Sequence, residues 1–216
     1  MSTVVVVEAP TLGEGWLRVS RTILEQGELS SYDSQATREV SLLTLVVARP
    51  ESTDPVIAEL GDADWLEWMH RNFWSTDVVA ELGDAQSYAT RLFDYGQTGR
   101  DQIAWVVERL RRDPESRSAA ITTFQPLTDT SYIPCVSLLD FWIDGGELEL
   151  VVYAHSLDFG KKAYGNLIEL AHLAEHVAKE LGVPVGPLVV HAKSAHIYEP
   201  EWAAMAHLAG LETPAR

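Results

Sequence analysis

Cysteine, long apolar runs and basic residues are the scarcest features of this sequence. Its 216 residues include one cysteine, which excludes an internal disulfide framework and is typical of a reducing compartment. No segment approaches the roughly 18 apolar residues that a membrane-spanning helix needs. The N-terminus shows neither the basic region nor the small-residue cleavage site of a signal peptide, so we expect a cytoplasmic protein without membrane contact.

Positive charge is scarce throughout the chain. The sequence has 16 Lys and Arg against 32 Asp and Glu, a formal net charge of −16. Nucleic-acid polymers are bound by clustered cations on one face, so we expect no such partner. An anionic small molecule would need the few cations concentrated in one place, and Lys161-Lys162 is one such pair. Arg109, Arg111 and Arg112 are instead typical of the solvated end of a helix.

The apolar content is sufficient for a full core. Hydrophobic residues make up 46% of the chain, so we expect residues 1–216 to form one domain. Apolar periodicity predicts helices at residues 13–27, 64–70, 101–112, 166–181 and 201–208, strands at 3–8, 40–49, 119–123, 136–143, 148–153 and 188–192, and a hairpin turn at 144–146. Residues 85–92 fit a short helix or a loop. Because the elements show no regular βαβ alternation, we predict an α+β fold with a large mixed sheet flanked by helices.

One short pattern is typical of metal sites. His172, Glu175 and His176 match the H-x-x-E-H sequence of some zinc peptidases, and residues four apart share a helix face. Such a site also needs a third ligand, and a pattern five residues long occurs often by chance. We therefore favour a polar helix face and predict no metal.

The only cysteine follows a proline at the start of an apolar, strand-like run. A thiol at Cys135 could be kept partly as thiolate by nearby arginines, and a thiolate is the form that attacks carbon. The alternative is a buried cysteine that acts as a small core hydrophobe.

The segments around Cys135 resemble the thymidylate synthase family. The matching pieces, in family order, are Asp101-Gln102-Ile103, Asp113-Pro114-Glu115-Ser116-Arg117, Pro134-Cys135, Phe141-Trp142-Ile143 with Gly146-Glu147-Leu148, Tyr153-Ala154-His155-Ser156-Leu157-Asp158 with Asn166, and His196-Ile197-Tyr198. They cover about residues 100–202 at near-family spacing, and Tyr88–Leu92 matches more loosely. The resemblance implies the thymidylate synthase-like fold and a homodimer.

The resemblance also implies a reaction. Cys135 would add to C6 of a pyrimidine nucleotide and make C5 nucleophilic toward the cosubstrate 5,10-methylenetetrahydrofolate. Ser156 and His155 would contact the substrate phosphate, with Arg91 also in the binding set. Arg117 would reach the phosphate in the neighbouring subunit.

The base and sugar would be bound by a second group of residues. By resemblance, Asp158 would act at the base and order water near it, as a catalytic residue. Asn166 would read the base edge and favours uracil, although an amide can flip and also accept cytosine. His196 and Tyr198 would hold the sugar 3′-hydroxyl.

The catalytic glutamate of the family is harder to place. Trp65-Leu66-Glu67-Trp68 resembles the Trp-rich segment that carries it, so Glu67 is the first choice and Glu39 the second. The alternative for Glu67 is a solvated helix glutamate.

Several positions depart from the family pattern. Val136 stands where the family has histidine, Ser118 follows Arg117 where it has a second arginine, and His155 replaces an arginine. Histidine cannot rebuild the guanidinium fork that grips phosphate, so Lys161 and Lys162 are candidate substitutes. Arg38 lies in the region of another phosphate arginine.

The product is predicted from the short C-terminal segment. Only 18 residues follow Tyr198, whereas the family continues to a tail that excludes water from the site. Water could then capture the one-carbon unit, so we expect 5-hydroxymethylation, as in nucleotide hydroxymethylases of nucleoside-antibiotic or modified-nucleotide pathways. The alternatives are thymidylate synthase-type methylation, an unphosphorylated substrate, and a non-catalytic nucleotide-binding protein.

Overall fold

The structure is a computed structural model that describes residues 4–77, 85–130 and 132–211. Its elements in chain order are β1 (Val5–Ala9), α1 (Leu12–Gln26), β2 (Glu28–Tyr32), β3 (Gln35–Val47), α2 (Pro55–Leu60), α3 (Ala63–Trp74), α4 (Tyr88–Phe93), α5 (Gln102–Arg112), β4 (Ala119–Thr122), β5 (Val136–Asp144), β6 (Glu147–Ala154), β7 (Leu157–Asp158), α6 (Ala163–Leu181), β8 (Val185–Tyr198) and α7 (Trp202–Leu208). The predicted α+β architecture, with one large mixed sheet flanked by helices, is confirmed. None of the described helices is long and apolar enough to cross a membrane.

The strands form one mixed sheet. Its order is β1-β3-β8-β6-β5-β4, with β2 paired to β3 and β7 paired to β8. The pairs β1/β3, β6/β8 and β7/β8 are parallel, and the others are antiparallel. Strand β3 pairs with β1, β2 and β8, and strand β8 pairs with β3, β6 and β7. Residues on these two long strands therefore lie beside residues of several other strands.

One face of the sheet is buried beneath helices. On β3, Leu43, Leu45 and Val47 are buried and face this layer, as expected when side chains alternate between the two faces of a strand. Helix α1 packs on β1 and β3, and α6 packs on β6 and β8. Helix α1 begins at Thr11, whose side chain accepts from the Glu14 N–H, and ends before Gly27 as predicted.

The opposite face of the sheet carries exposed apolar side chains. Leu138 on β5 and Tyr153 on β6 are paired directly across the strands, and each is 42% exposed. Val6, Leu42 and Trp142 are also exposed. We call the surface formed by these five residues the open sheet face.

Three elements were not predicted, and two strands extend several residues beyond the prediction. Helix α2 and strands β2 and β7 did not follow from apolar periodicity, and residues 85–92, left open, overlap the short helix α4. Strand β3, predicted at 40–49, begins at Gln35. The last strand, predicted at 188–192, runs from Val185 to Tyr198. This extension carries His196 and Tyr198 into the sheet.

Candidate active site

Cys135 lies directly before β5, and hydrogen bonds fix the backbone on both sides of it. The Val136 N–H donates to the Tyr88 hydroxyl at 3.0 Å, and the Val136 carbonyl accepts from the Thr123 hydroxyl. The Cys135 carbonyl accepts from the His155 N–H at 3.1 Å. Cys135 as a whole residue is half-buried, and these hydrogen bonds hold its backbone in a set position.

The side chain of Arg91 stabilises the segment that holds the backbone next to Cys135. It is fully buried and grips the Asp129 carboxylate with two hydrogen bonds of 2.7 and 2.8 Å. It also donates to the carbonyls of Thr123, at 2.8 Å, and Gln86, at 3.2 Å. The sequence prediction made Arg91 a substrate-binding residue. The structure instead uses four of its hydrogen bonds inside the protein, so we interpret Arg91 as a positioning residue for the segment that holds Val136.

Three polar residues lie side by side across the sheet. Asp158 on β7 is opposite His196 on β8, which is opposite Glu39 on β3. Directly opposed residues share one face of a sheet, so the three side chains lie on the same side. Tyr198 lies two residues beyond His196, and the two rings meet edge to face at 5.1 Å. The charges of Asp158 and Cys135 both contribute to a raised pKa of Tyr198, after the larger effect of burial.

Asp158 is held by a tight turn. Its Oδ1 accepts from the Gly160 N–H at 3.0 Å, and the indole N–H of Trp16 donates to the Phe159 carbonyl at 2.8 Å. A Cβ at Gly160 would lie 2.9 Å from the Cβ of Glu201, which explains a glycine here. Burial raises the pKa of the Asp158 carboxyl, although the Gly160 N–H and Lys162 act in the opposite direction.

Asn166, in the first turns of α6, presents an unsatisfied acceptor. Its Nδ2 donates to the Lys162 carbonyl at 3.1 Å. Its Oδ1 is buried and has no hydrogen-bond partner within the described part of the chain. A buried polar atom without a partner is costly, and a bound base that offers an N–H would satisfy it.

The charged groups near the Cys135 thiol differ from those predicted from the sequence. Burial raises the pKa of Cys135, the charge of Lys162 partly lowers it, and Asp158 raises it further. We expected arginines to favour the thiolate. That expectation is corrected on two points: the pKa is shifted upward, and the nearby cation is a lysine.

These charges predict how Cys135 reacts with iodoacetamide. Because the thiolate is the reactive form, the alkylation rate should rise with pH through a midpoint above the roughly 8.5 of a free cysteine. Lys162→Gln should move this midpoint upward, and Asp158→Asn should move it downward. The rate can be followed by mass spectrometry at a series of pH values, with Lys179→Gln on an exposed part of α6 as the matched control. A midpoint unchanged in Lys162→Gln would contradict the assignment.

The remaining predicted residues are more peripheral. His155 and Ser156 connect β6 to β7, and burial followed by the charge of Lys193 lowers the pKa of His155. Arg117 is exposed just before β4. Glu67 is exposed on α3, and within the described residues no hydrogen bond or ion pair connects it to Cys135 or Asp158. Glu39, the second choice, is the glutamate that lies opposite His196.

The H-x-x-E-H pattern does not form a cluster of its own. The Glu175 carboxylate accepts from the Ser52 N–H at 2.8 Å and from its hydroxyl at 2.7 Å. His172 instead contacts Glu169, with its Nδ1 3.3 Å from the carboxylate. The glutamate of the pattern therefore holds the loop that contains Ser52.

Comparison with known proteins agrees with this geometry. Residues 40–212 match the protein family described as thymidylate synthase. The chain belongs to the thymidylate synthase family. A protein of Methanothermobacter thermautotrophicus with the name "Putative thymidylate synthase" is 31% identical over 209 residues, which cover 89% of this chain and 93% of that protein. A protein of the same name from Methanopyrus kandleri is 33% identical over 199 residues, covering 90% and 93%.

Membership in the thymidylate synthase family makes this chain a one-carbon transferase and implies a pyrimidine nucleotide as substrate. The family uses methylenetetrahydrofolate as cosubstrate. The family match extends beyond the half of the chain in which the motifs lie, because the matched region begins at residue 40. It includes the part of strand β3 from Val40 to Val47, and Glu39 lies one residue before it.

Proposed function

We propose that this single-domain enzyme transfers a one-carbon unit to C5 of a pyrimidine nucleotide, with Cys135 as the nucleophile. The observation that carries the proposal is the grouping of a half-buried cysteine, on an anchored backbone segment, with Asp158 and Tyr198. The unpaired Oδ1 of Asn166 adds an acceptor for the base. A purely structural cysteine would need none of these neighbours.

The proposed chemistry begins at the sulfur. The thiolate of Cys135 forms a bond to C6 and the C5–C6 double bond gives C5 the electron pair with which it attacks an electrophilic carbon. When bound, methylenetetrahydrofolate supplies that carbon. Loss of the C5 proton with departure of tetrahydrofolate would leave the transferred carbon as an exocyclic methylene group. Addition of water to that carbon, with cleavage of the C6–S bond, would then restore the C5–C6 double bond and give the 5-hydroxymethyl product.

Proton transfer is assigned to the residues across the sheet. Glu39 lies opposite His196 and its charge raises the pKa of that histidine, against the larger, lowering effect of burial. We therefore rank Glu39 above Glu67 as the group that relays protons to the base. Asp158 and Tyr198 orient the nucleotide, and His196 binds the sugar.

The residues beside Lys162, the cation that acts on Cys135, fit a folate-type cosubstrate. Trp65 and Trp68 on α3 form an edge-to-face pair at 5.1 Å, and the indole N–H of Trp68 is buried without a partner in the described structure. Lys161 and Lys162 lie over the Trp65 ring, at 5.2 and 5.7 Å from its centre. An aromatic surface with cations beside it suits a fused ring that carries carboxylates.

The open sheet face supports a homodimer. A sheet face with several exposed apolar side chains is typical of an interaction surface, and a two-fold interface would cover it with the same face of a second copy. Arg117, at the β4 edge of the sheet, would then extend toward the phosphate in the neighbouring subunit. This contact would compensate for the neutral His155.

Disrupting the open sheet face should separate the subunits. Leu138→Asp places a charge on that face, where burial without a partner is costly, and we expect the variant to sediment as a monomer. Leu127→Asp is the matched control, because Leu127 is 94% exposed in a loop away from the sheet. Analytical ultracentrifugation compares the two, and a dimeric Leu138→Asp variant would exclude this interface.

The expected product is the 5-hydroxymethyl nucleotide. Its support is the accessibility of the site: Lys162 is exposed, and Tyr198 and Asp158 are only partly buried, so water can approach the one-carbon unit. The C-terminal tail used in the sequence prediction includes residues 212–216, which lie outside the described residues. The name of the relatives favours the methyl product, and mass analysis of the reaction distinguishes the two.

The test of the function is tritium release from the C5 position of CMP, dCMP, UMP and dUMP, with and without methylenetetrahydrofolate. Release without the cosubstrate would already report attack at C6 by Cys135. If each nucleotide binds but none exchanges tritium under either condition, the chain is a binding protein and the proposal is wrong.

Asn166 should determine which base is accepted. An ionised aspartate can only accept hydrogen bonds, and a protonated one donates as well, so Asn166→Asp suits the N4 amino group and N3 of cytosine better than uracil. We expect the ratio of kcat/KM for cytosine over uracil nucleotides to rise by roughly 10²-fold. An unchanged ratio would show that Asn166 does not contact the base.

A further inference from the structure

A cluster of metal-ligating side chains lies between α3 and α6, and the catalytic proposal does not use it. It consists of His70 on α3 with Glu169 and His172 on α6, and we refer to it as the His-Glu-His cluster. One candidate ligand atom from each residue lies within 4.8 Å of the other two. We propose that this cluster binds one divalent transition-metal ion, with zinc as the preferred ion.

The distances in the cluster suit a shared ion. The Nδ1 of His70 is 3.2 and 3.3 Å from the two Glu169 oxygens, and the Nδ1 of His172 is 3.3 Å from one of them. Hydrogen bonds between charged N–H and carboxylate groups are shorter, at about 2.7–2.9 Å. Ligands bound about 2.0–2.2 Å from one zinc ion are roughly 3.0–3.5 Å apart. The observed distances from each histidine to the carboxylate match the second arrangement.

The carboxylate of the cluster is buried and oriented. Glu169 is 2% exposed, and the indole N–H of Trp74 donates to its Oε2 at 2.7 Å. A hydrogen bond of this kind from outside the ligand set fixes a metal ligand and raises the affinity of the site. Trp74 also lies edge to face with the ring of His172.

The imidazoles of His70 and His172 are partly exposed, so an ion can reach the cluster from solvent. The side chains of His70 and His172 are 56% and 32% exposed, so water can complete the coordination shell. Two histidines and one carboxylate are a frequent ligand set for zinc with an open position. The net charge of −16 also favours the approach of a cation.

Binding would connect the two helices that border the proposed active site. Helix α3 carries Trp65, and Asn166 lies one turn before Glu169 on α6. An ion in the cluster would therefore fix α3 against the helix that reads the base. Without an ion, the Nδ1 atoms of both histidines lie within hydrogen-bonding distance of the carboxylate, and metal binding would replace these contacts.

The test is titration of the metal-stripped full-length protein with Co²⁺, followed by its visible absorption, and with Zn²⁺ by calorimetry. We expect one equivalent to bind to the wild type. His70→Gln and His172→Gln should each weaken binding by at least about tenfold, and Trp74→Phe by roughly tenfold. His176→Gln is the matched control, because this histidine is one turn further along α6 and also contacts the Trp74 ring.

Circular dichroism on each variant separates loss of the site from loss of the fold. The proposal holds if folded His70→Gln and His172→Gln lose the bound equivalent while His176→Gln keeps it. It is overturned if the wild type binds no stoichiometric ion, or if His176→Gln weakens binding as much as His172→Gln does. Because the readout is metal binding, failure here leaves the chemistry at Cys135 untouched.

Discussion

Cys135→Ser is expected to reduce tritium release from C5 by roughly 10⁴-fold or more, the range seen when an enzyme loses its nucleophile. A serine hydroxyl is far less ionised than a thiol near neutral pH and leaves carbon less readily. The change removes no hydrogen bond of the surrounding backbone, because the bonds at Val136 and His155 involve main-chain atoms of this segment. Nucleotide binding should therefore persist.

The serine variant can be measured in two ways on the same preparation. Tritium release reports chemistry, and fluorescence titration with the nucleotide reports binding. Alkylation of the wild type by iodoacetamide should also abolish tritium release, because the chain has one cysteine and the reagent therefore modifies Cys135. A serine variant that retains more than about a tenth of the wild-type rate, far above the loss expected for a nucleophile, would remove Cys135 from the mechanism. The non-catalytic alternative would then be preferred.

Elements with an apolar period were predictable from the sequence. Helix α5 was predicted at 101–112 and spans Gln102–Arg112, and its buried positions Ile103, Val106 and Leu110 follow the helical repeat. Strand β2 was missed because all five of its residues are exposed. Its pairing depends on the turn at Asp33 and Ser34, both with positive φ, and neither residue is the glycine that usually indicates such a turn.

Helix α2 could have been found from its N-terminus. Asp54 accepts from the N–H groups of Val56 and Ile57, and Pro55 occupies the first helical position. Both are ordinary start signals. The helix has only six residues, so the periodicity on which the prediction relied had no room to appear.

The site could be predicted in part. The resemblance predicted Cys135, Asp158, Asn166, His196 and Tyr198 as site residues, and their roles stay predictions. The structure places Asp158, His196 and Tyr198 close together on neighbouring strands. The supporting contacts could not be predicted, because they join residues far apart in the chain. The hydrogen bond from Trp16 to Phe159 spans 143 positions, and no local pattern encodes it.

The choice between Glu39 and Glu67 also depends on contacts that the local sequence does not encode. A short Trp-rich match favoured Glu67, whereas the pairing of β3 with β8 brings Glu39 opposite His196. Strand register depends on the assembled sheet, so a local motif could not rank the two glutamates. The upward shift of the Cys135 pKa has the same origin, since burial depends on the surrounding elements.

Asp129→Asn is expected to lower the free energy of unfolding by about 3 kcal/mol or more, because it leaves the buried charge of Arg91 without its partner. The two side chains are 2% and 8% exposed. Asparagine keeps one acceptor oxygen but loses the charge and one of two parallel hydrogen bonds. Because Arg91 also donates to the Thr123 carbonyl, the variant should slow the reaction at Cys135 as well.

Urea denaturation at a fixed protein concentration measures the change, with unchanged slope as the sign that the same surface is exposed on unfolding. Glu14→Gln is the matched control. Its partner is Arg18, and the pair is exposed, at 44% and 51%, so its loss should cost less than about 1 kcal/mol. Equal effects of the two substitutions would show that the Arg91–Asp129 pair contributes no more than a surface ion pair.

The pH dependence of the free energy of unfolding provides a second test of the Arg91–Asp129 pair. Burial would raise the pKa of Asp129, but hydrogen bonds from Arg91 and from the Gln125 N–H hold it below its usual value. A carboxyl with a depressed pKa in the folded state stabilises the protein fully above its unfolded pKa of about 3.9. That contribution is lost as the pH falls through the folded value. The stability difference between wild type and Asp129→Asn should therefore be largest near neutral pH and shrink on acidification, whereas a difference independent of pH would indicate packing as its cause.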